Sequence, residues 1–157
     1  MIHFREINEE DSEMTKPLYT AQAQVTGGRA HGHGRSSDGM LDVNLRQPKE
    51  LGGDGDGTNP EQLFAVGYAA CFSTVLTMVG QRQGLKAGDA AVDAKVMLIP
   101  NADGTFKLGV EMDITLPSIE DPEQAAGLVR TAHQVCPYSN ATRGNIDVAL
   151  SVNGSAL

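Results

Sequence analysis

The chain holds two cysteines, Cys71 and Cys136, and its chemistry turns on whether either is a reactive thiol. They form no C-x-x-C pair, which excludes a thioredoxin-type motif and half of a zinc ribbon. Free cysteine often behaves as a small buried hydrophobe, so inert packing is the first reading of each. A reactive thiol needs a cation, a helix N-terminus or a base to make it a thiolate. Arg29, directly after Gly27-Gly28, is the candidate cation, and its guanidinium offers several donors to an oxygen leaving group. The alternative is a solvated loop charge. Glu61 stands at the start of a predicted helix, where a carboxylate favours the dipole by about 0.3–1 kcal/mol. Alternatively it holds the Arg29 guanidinium in place. Cys136 is followed by Pro137-Tyr138-Ser139-Asn140, a polar continuation where an apolar helix would simply close. Two thiols on two packed helices could come close enough to form a disulfide during turnover.

The histidines offer a different chemistry. His31 and His33 form an H-x-H pair, and His133 and Cys136 are spaced i and i+3. Neither pair has an evident third ligand at a fixed spacing, so no metal is assigned. Asp54-Gly55-Asp56-Gly57 lacks the later ligands of a calcium loop and reads as a turn.

These groups must be positioned by a fold. At 157 residues the chain is long enough for one domain with a sizeable core. Its net charge of −8 argues against a nucleic-acid groove or an anionic membrane surface. Residues 1–13 carry much of that charge and read as an acidic, flexible leader, leaving 14–157 as a single domain. The acidic N-terminus has no apolar run of the signal-peptide kind, and the expected location is cytoplasmic. Asn59 and Pro60 make a good helix start, and no charged side chain occurs from Gln62 to Gln81. Apolar residues point in almost every direction around this helix, which predicts burial on all sides. The run is as long as a membrane span, but Gln62, Gly67, Ser73, Thr74, Thr77 and Gly80 favour a buried central helix.

Alternation predicts strands over 18–25, 40–45, 92–99 and 105–116, and a last one through Ile146, Val148, Leu150 and Val152. Residues 27–39 read as an irregular connection, with room for a little extra strand pairing. A second helix is expected from Asp121-Pro122 to Val135 or Cys136, with Ser139 or Asn140 capping a further turn. The order β-β-α-β-β-α-β is α+β, antiparallel strands packed around two central helices.

Several long segments resemble the organic hydroperoxide resistance (Ohr) family of the OsmC superfamily. They are Leu18-Tyr19-Thr20-Ala21, Gly27-Gly28-Arg29, Ser36-Ser37-Asp38-Gly39, Lys49-Glu50-Leu51-Gly52-Gly53 and residues 58–65. The two cysteine segments, 67–72 and 132–146, are the most specific. The resemblance covers about residues 16–152, and the second cysteine segment favours the Ohr branch. It implies an OsmC-like fold, an intertwined homodimer and a thiol peroxidase acting on alkyl or fatty-acyl hydroperoxides. By family role, Cys71 is the peroxidatic thiol and Cys136 resolves it as an intramolecular disulfide. Arg29 stabilises the thiolate, and Glu61 orients Arg29. No bound cofactor is implied; dihydrolipoamide or a lipoylated protein is the external reductant. The apolar residues Phe64, Tyr68 and Phe72 are the expected substrate pocket. The alternatives are an OsmC-type peroxidase of different substrate preference and a non-enzymatic redox-sensing or metal-binding protein.

Overall fold

The computed structural model describes residues 15–157, so the acidic leader lies outside the described residues. The chain divides into two compact units, the first ending at Gly57 and the second running from Thr58 to Leu157.

The first unit carries a three-stranded antiparallel sheet, β1 (Ala23–Thr26), β2 (Gly32–Ser36) and β3 (Asp42–Arg46), in that order. The expected strand over 18–25 is shorter than its alternation suggests. β2 ends at Ser36, where Asp38 and Gly39 turn the chain towards β3, so residues before Ala23 have no partner strand. Leu18 and Tyr19 are exposed. The connection after β1 is more regular than expected. Gly27 and Gly28 both take left-handed φ, at 74° and 65°, and start a single helical turn, α1 (Gly28–His31), which leads directly into β2. A Cβ on Gly27 would stand 2.7 Å from the His31 carbonyl oxygen, so this reversal requires glycine. Arg29 and His31 lie on α1, while His33 lies on β2 with its Nε2 2.5 Å from Asp42 Oδ1. The 54–57 segment is a turn closed by the Asp56 N–H donating to Asp54 Oδ1.

The second unit begins with α2 (Pro60–Arg82). The Asn59 side chain accepts from the Gln62 N–H, and Pro60 occupies the first turn. The helix ends where Gly84 turns left-handed and the Leu85 N–H returns to the Gly80 carbonyl. The hairpin β4 (Ala91–Pro100) and β5 (Phe106–Thr115) pairs in unbroken antiparallel register. Then come α3 (Pro122–Val135), capped by Asp121, and the short α4 (Pro137–Thr142). The unit closes with β6 (Val148–Val152) and β7 (Ser155–Ala156), giving the sheet order β4-β5-β6-β7.

One pairing departs from the antiparallel expectation: β6 runs parallel to β5. α3 and α4 form the crossover that such a pairing requires. The fold class is nevertheless α+β, with α2 and α3 packed together on the sheet. Leu76, Met112, Ile114, Leu128 and Val129 lie at the centre of this core.

α2 is not buried on all sides. Its core stripe is Tyr68, Phe72, Val75, Leu76, Val79 and Gly80. Gln62, Val66, Ala70, Thr74 and Met78, four residues apart, form an exposed stripe, and Val66 is 70% exposed. Sheet and α3 cover the core stripe, which makes α2 the core helix of a globular unit despite a length and composition sufficient to cross a membrane.

Candidate functional site

Cys71 lies on α2 at the flank of the buried stripe, one turn beyond Tyr68. Cys136 occupies the bend between α3 and α4. It ends one helix and precedes the next, with φ −60° and ψ 125°. Two backbone bonds fix the bend: the Cys136 N–H to the Ala132 carbonyl at 2.8 Å, and the Asn140 N–H to the Cys136 carbonyl at 2.9 Å. Pro137 cannot supply an N–H to continue α3, and it is well suited to start α4. The bend turns Cys136 Sγ towards α2, where it stands 3.6 Å from Cys71 Sγ. Both cysteines are free thiols. Cys136 has no exposed surface, whereas Cys71 is half-buried.

The electrostatics of the pair are specific. Burial pushes the Cys71 thiol above its ordinary pKa. The Tyr138 backbone opposes the rise, and neighbouring Cys136 adds to it by hydrogen bonding and charge. Making Cys71 a thiolate at neutral pH therefore takes a cation, a helix N-terminus or a base in addition to these neighbours.

Aromatic rings pack beside the thiols. Phe64 meets Tyr68 edge-on at 6.1 Å and Tyr138 at 6.0 Å, while Tyr68 and Tyr138 lie 5.5 Å apart. A Cβ on Gly67 would approach Tyr138 Oη to 2.8 Å, so this glycine makes room for the ring. Of the three expected pocket residues, Phe64 retains exposed surface, but Tyr68 and Phe72 have none and back it from the core. Tyr138, which sequence reasoning did not single out, is exposed on the same patch. Its position two residues after Cys136 was the available signal.

A polar network lies behind the rings. Tyr68 Oη is 2.8 Å from Ser139 Oγ and 3.2 Å from Thr142 Oγ1, and Ser139 Oγ is 2.8 Å from His133 Nδ1. Ser139 and Thr142 are buried. Burial, followed by the charge of Arg143, holds His133 below the ordinary histidine pKa. The same guanidinium donates to the His133 carbonyl at 2.6 Å and to Asn140 Oδ1 at 2.7 Å.

Glu61 sits in the first turn of α2, and the helix continues unbroken from there to Cys71. Arg29 belongs to the first unit, on α1. The second cation of that region, Arg35, faces Asp42 at 3.7 Å with both side chains exposed. Among the described residues, no group of three or more His, Cys, Asp or Glu side chains is arranged to hold a metal ion.

Residues 53–151 match the family described as OsmC-like protein. The organic hydroperoxide resistance protein of Xanthomonas axonopodis pv. citri is 52% identical over 139 residues, covering 87% of this chain and 96% of that protein. Solved structures of similar proteins include an organic hydroperoxide resistance protein from Elizabethkingia anophelis (TM-score 0.82, 48% identity, 88% of this chain and 98% of that chain). Another is OhrB of Bacillus subtilis (TM-score 0.78, 45% identity, 87% and 99%).

Proposed function

The chain belongs to the organic hydroperoxide resistance family of OsmC-like proteins, and from that premise we propose that it is a cytoplasmic thiol peroxidase that reduces organic hydroperoxides. The observation that carries this reading is the 3.6 Å separation of Cys71 and Cys136 sulfurs beside an aromatic patch. In the reaction, the Cys71 thiolate attacks the distal oxygen of R–O–OH. A sulfur–oxygen bond forms, the O–O bond breaks, and the departing alkoxide takes a proton to become an alcohol. The Cys136 thiol then attacks the Cys71 sulfenic sulfur. The S–S bond forms and hydroxide leaves, taking the Cys136 proton as water. An external dithiol, the dihydrolipoyl group of lipoamide or a lipoylated protein, exchanges with the disulfide and restores both thiols. The net change is hydroperoxide plus dithiol to alcohol, water and disulfide.

Cys71 is the partly exposed member of the pair, which supports it as the thiol a substrate reaches, and the buried Cys136 is assigned the resolving role. The surface beside Cys71 from Phe64 and Tyr138 is apolar and suits an alkyl or acyl chain better than hydrogen peroxide. The missing cation is assigned to Arg29, oriented by Glu61. Ten residues of continuous helix separate Glu61 from Cys71, about 15 Å along the axis. Glu61 is therefore assigned to the Cys71 of a second copy of the chain, in a homodimer with two shared sites.

The test is a mass spectrum after one equivalent of cumene hydroperoxide. The expected product is a Cys71–Cys136 cross-link with a loss of about 2 Da, and Cys71→Ser should abolish turnover. Full turnover by Cys71→Ser would reject the reading. Faster reduction of hydrogen peroxide than of cumene hydroperoxide would favour a different substrate preference.

A further inference from the structure

The hydroxyl network beside Cys136 can be satisfied by an arrangement that uses each proton once. Thr142 Oγ1 is 3.2 Å from the Ser139 carbonyl, and a carbonyl cannot donate, so the one hydroxyl proton of Thr142 goes there. Counting the 3.2 Å Tyr68–Thr142 contact as a full hydrogen bond makes Tyr68 its donor. That commits the tyrosine proton, so Ser139 donates in the 2.8 Å Tyr68–Ser139 contact. With the serine proton committed, the donor in the His133–Ser139 bond must be His133 Nδ1–H. Each proton is used once, and the direction runs from His133 through Ser139 and Tyr68 to Thr142. Burial and the charge of Arg143 favour the neutral imidazole. This arrangement makes it the Nδ1–H tautomer, which free histidine does not favour.

This chain of bonds frames the thiols. His133 precedes Cys136 by three residues and Ser139 follows it by three, so their bond straps the α3–α4 bend in which Cys136 sits. Tyr68 stands one turn before Cys71 on α2, so its bond to Ser139 ties that helix to the far side of the same bend. The two ties join α2 to the bend, the two elements that carry the facing sulfurs.

We propose that His133, as the Nδ1–H tautomer, acts through Ser139 and Tyr68 as a positioning residue that sets the rate at which Cys136 closes on oxidised Cys71. The kinetic part of this proposal rests on the thiol-peroxidase reading. The closing step is attack of the Cys136 thiol on the Cys71 sulfenic sulfur, with hydroxide leaving as water. Without the His133–Ser139 bond, the bend retains its backbone bonds but loses its side-chain strap, and fewer orientations of Cys136 are productive.

Two measurements test the proposal on the intact, reduced protein. In a long-range proton–nitrogen spectrum of the uniformly labelled wild type, His133 should show a protonated Nδ1 and a bare Nε2, with its signals assigned by their loss in His133→Asn. A predominant Nε2–H form would overturn the clamp. In the second measurement, one equivalent of cumene hydroperoxide is added, and Cys71 oxidation and disulfide formation are followed separately by quenched mass analysis. His133→Leu should oxidise Cys71 at the wild-type rate but close the disulfide about tenfold more slowly, the effect of one lost hydrogen bond. His133→Asn, whose amide nitrogen occupies the Nδ1 position, should restore closure to within about twofold of wild type. Closure by His133→Leu at the wild-type rate, or no rescue by Asn, would overturn the proposal. If wild-type Cys71 is not oxidised at all, the peroxidase reading fails, and the tautomer still decides whether the clamp exists. Should His133→Leu fail to fold, the tautomer again decides.

Discussion

Replacing Tyr68 by Phe removes one oxygen from a residue with no exposed surface and leaves its ring in place. The edge contacts with Phe64 and Tyr138 need no hydroxyl and should persist. The loss falls on two hydrogen bonds, to Ser139 at 2.8 Å and Thr142 at 3.2 Å. Thr142 still donates to the Ser139 carbonyl, so its oxygen is only partly deprived. Ser139 is worse off: its proton loses its acceptor at a fully buried position. An orphaned buried donor costs about 1–3 kcal/mol, and we expect Tyr68→Phe to lose about 2 kcal/mol. The measurement is urea unfolding of the reduced protein at one fixed chain concentration, because association of copies would shift midpoints. A double-mutant cycle isolates the cause. In Ser139→Ala the orphan is gone, so Tyr68→Phe on that background should cost less by about 1 kcal/mol or more. Additivity of the two substitutions, or a loss below about 0.5 kcal/mol for Tyr68→Phe alone, would refute the account of the network.

Further outcomes can be stated together. Cys136→Ser should consume the first equivalent of organic hydroperoxide and then stall, with gains of about 16 and then about 32 Da confined to Cys71 in excess peroxide; unimpaired turnover would contradict a resolving role. Mixing refolded Cys71→Ser and Glu61→Ala chains, each inactive alone, should restore about a quarter of wild-type activity if Glu61 serves the partner's Cys71. No recovery despite proven mixed dimers would place Glu61 elsewhere. His133 favours its neutral form when folded, so the unfolded chain binds more protons below the ordinary histidine pKa. The stability from this group is full above that value and lost as pH falls towards the lower folded value. Against wild type, His133→Asn should therefore lose less stability between about pH 7.5 and about pH 5 in urea unfolding; equal losses would show that His133 titrates normally.

The fold was legible where one physical signal dominated. Asn59-Pro60 marked the start of α2, and the 105–116 alternation gave β5. Legibility failed where a partner strand decided the outcome. Residues 18–22 alternate as well as 23–26 do, but β2 is too short to pair with them. The parallel placement of β6 follows from the crossover of α3 and α4, which no local pattern reports. β7 was missed although Asn153-Gly154, both with positive φ, is a strong two-residue hairpin signal. The even apolar surround of α2 suggested burial on all sides, whereas periodicity cannot say which stripe a single chain covers. At the site, the two cysteine segments were readable, but their 3.6 Å approach depends on the bend at Pro137. The hydroxyl network was invisible because Tyr68, Ser139 and His133 read separately as an apolar-pocket residue, a cap and half of an i, i+3 pair with Cys136.

On the thiol-peroxidase proposal, two sulfurs already touching in the reduced protein would also determine how long an oxidation event is remembered. A protein that passes oxidising equivalents to others must hold its oxidised sulfur apart until the recipient arrives. Here the intended recipient is already in contact, and no segment has to unwind to bring it. Capture is then a race between one short side-chain movement and a second molecule of oxidant, and the oxidant can win only at high concentration. For the thiol peroxidase proposed above, such geometry suits disposal rather than signalling: each oxidising molecule would be erased where it lands, and capacity would be limited by the supply of electrons returning to the pair.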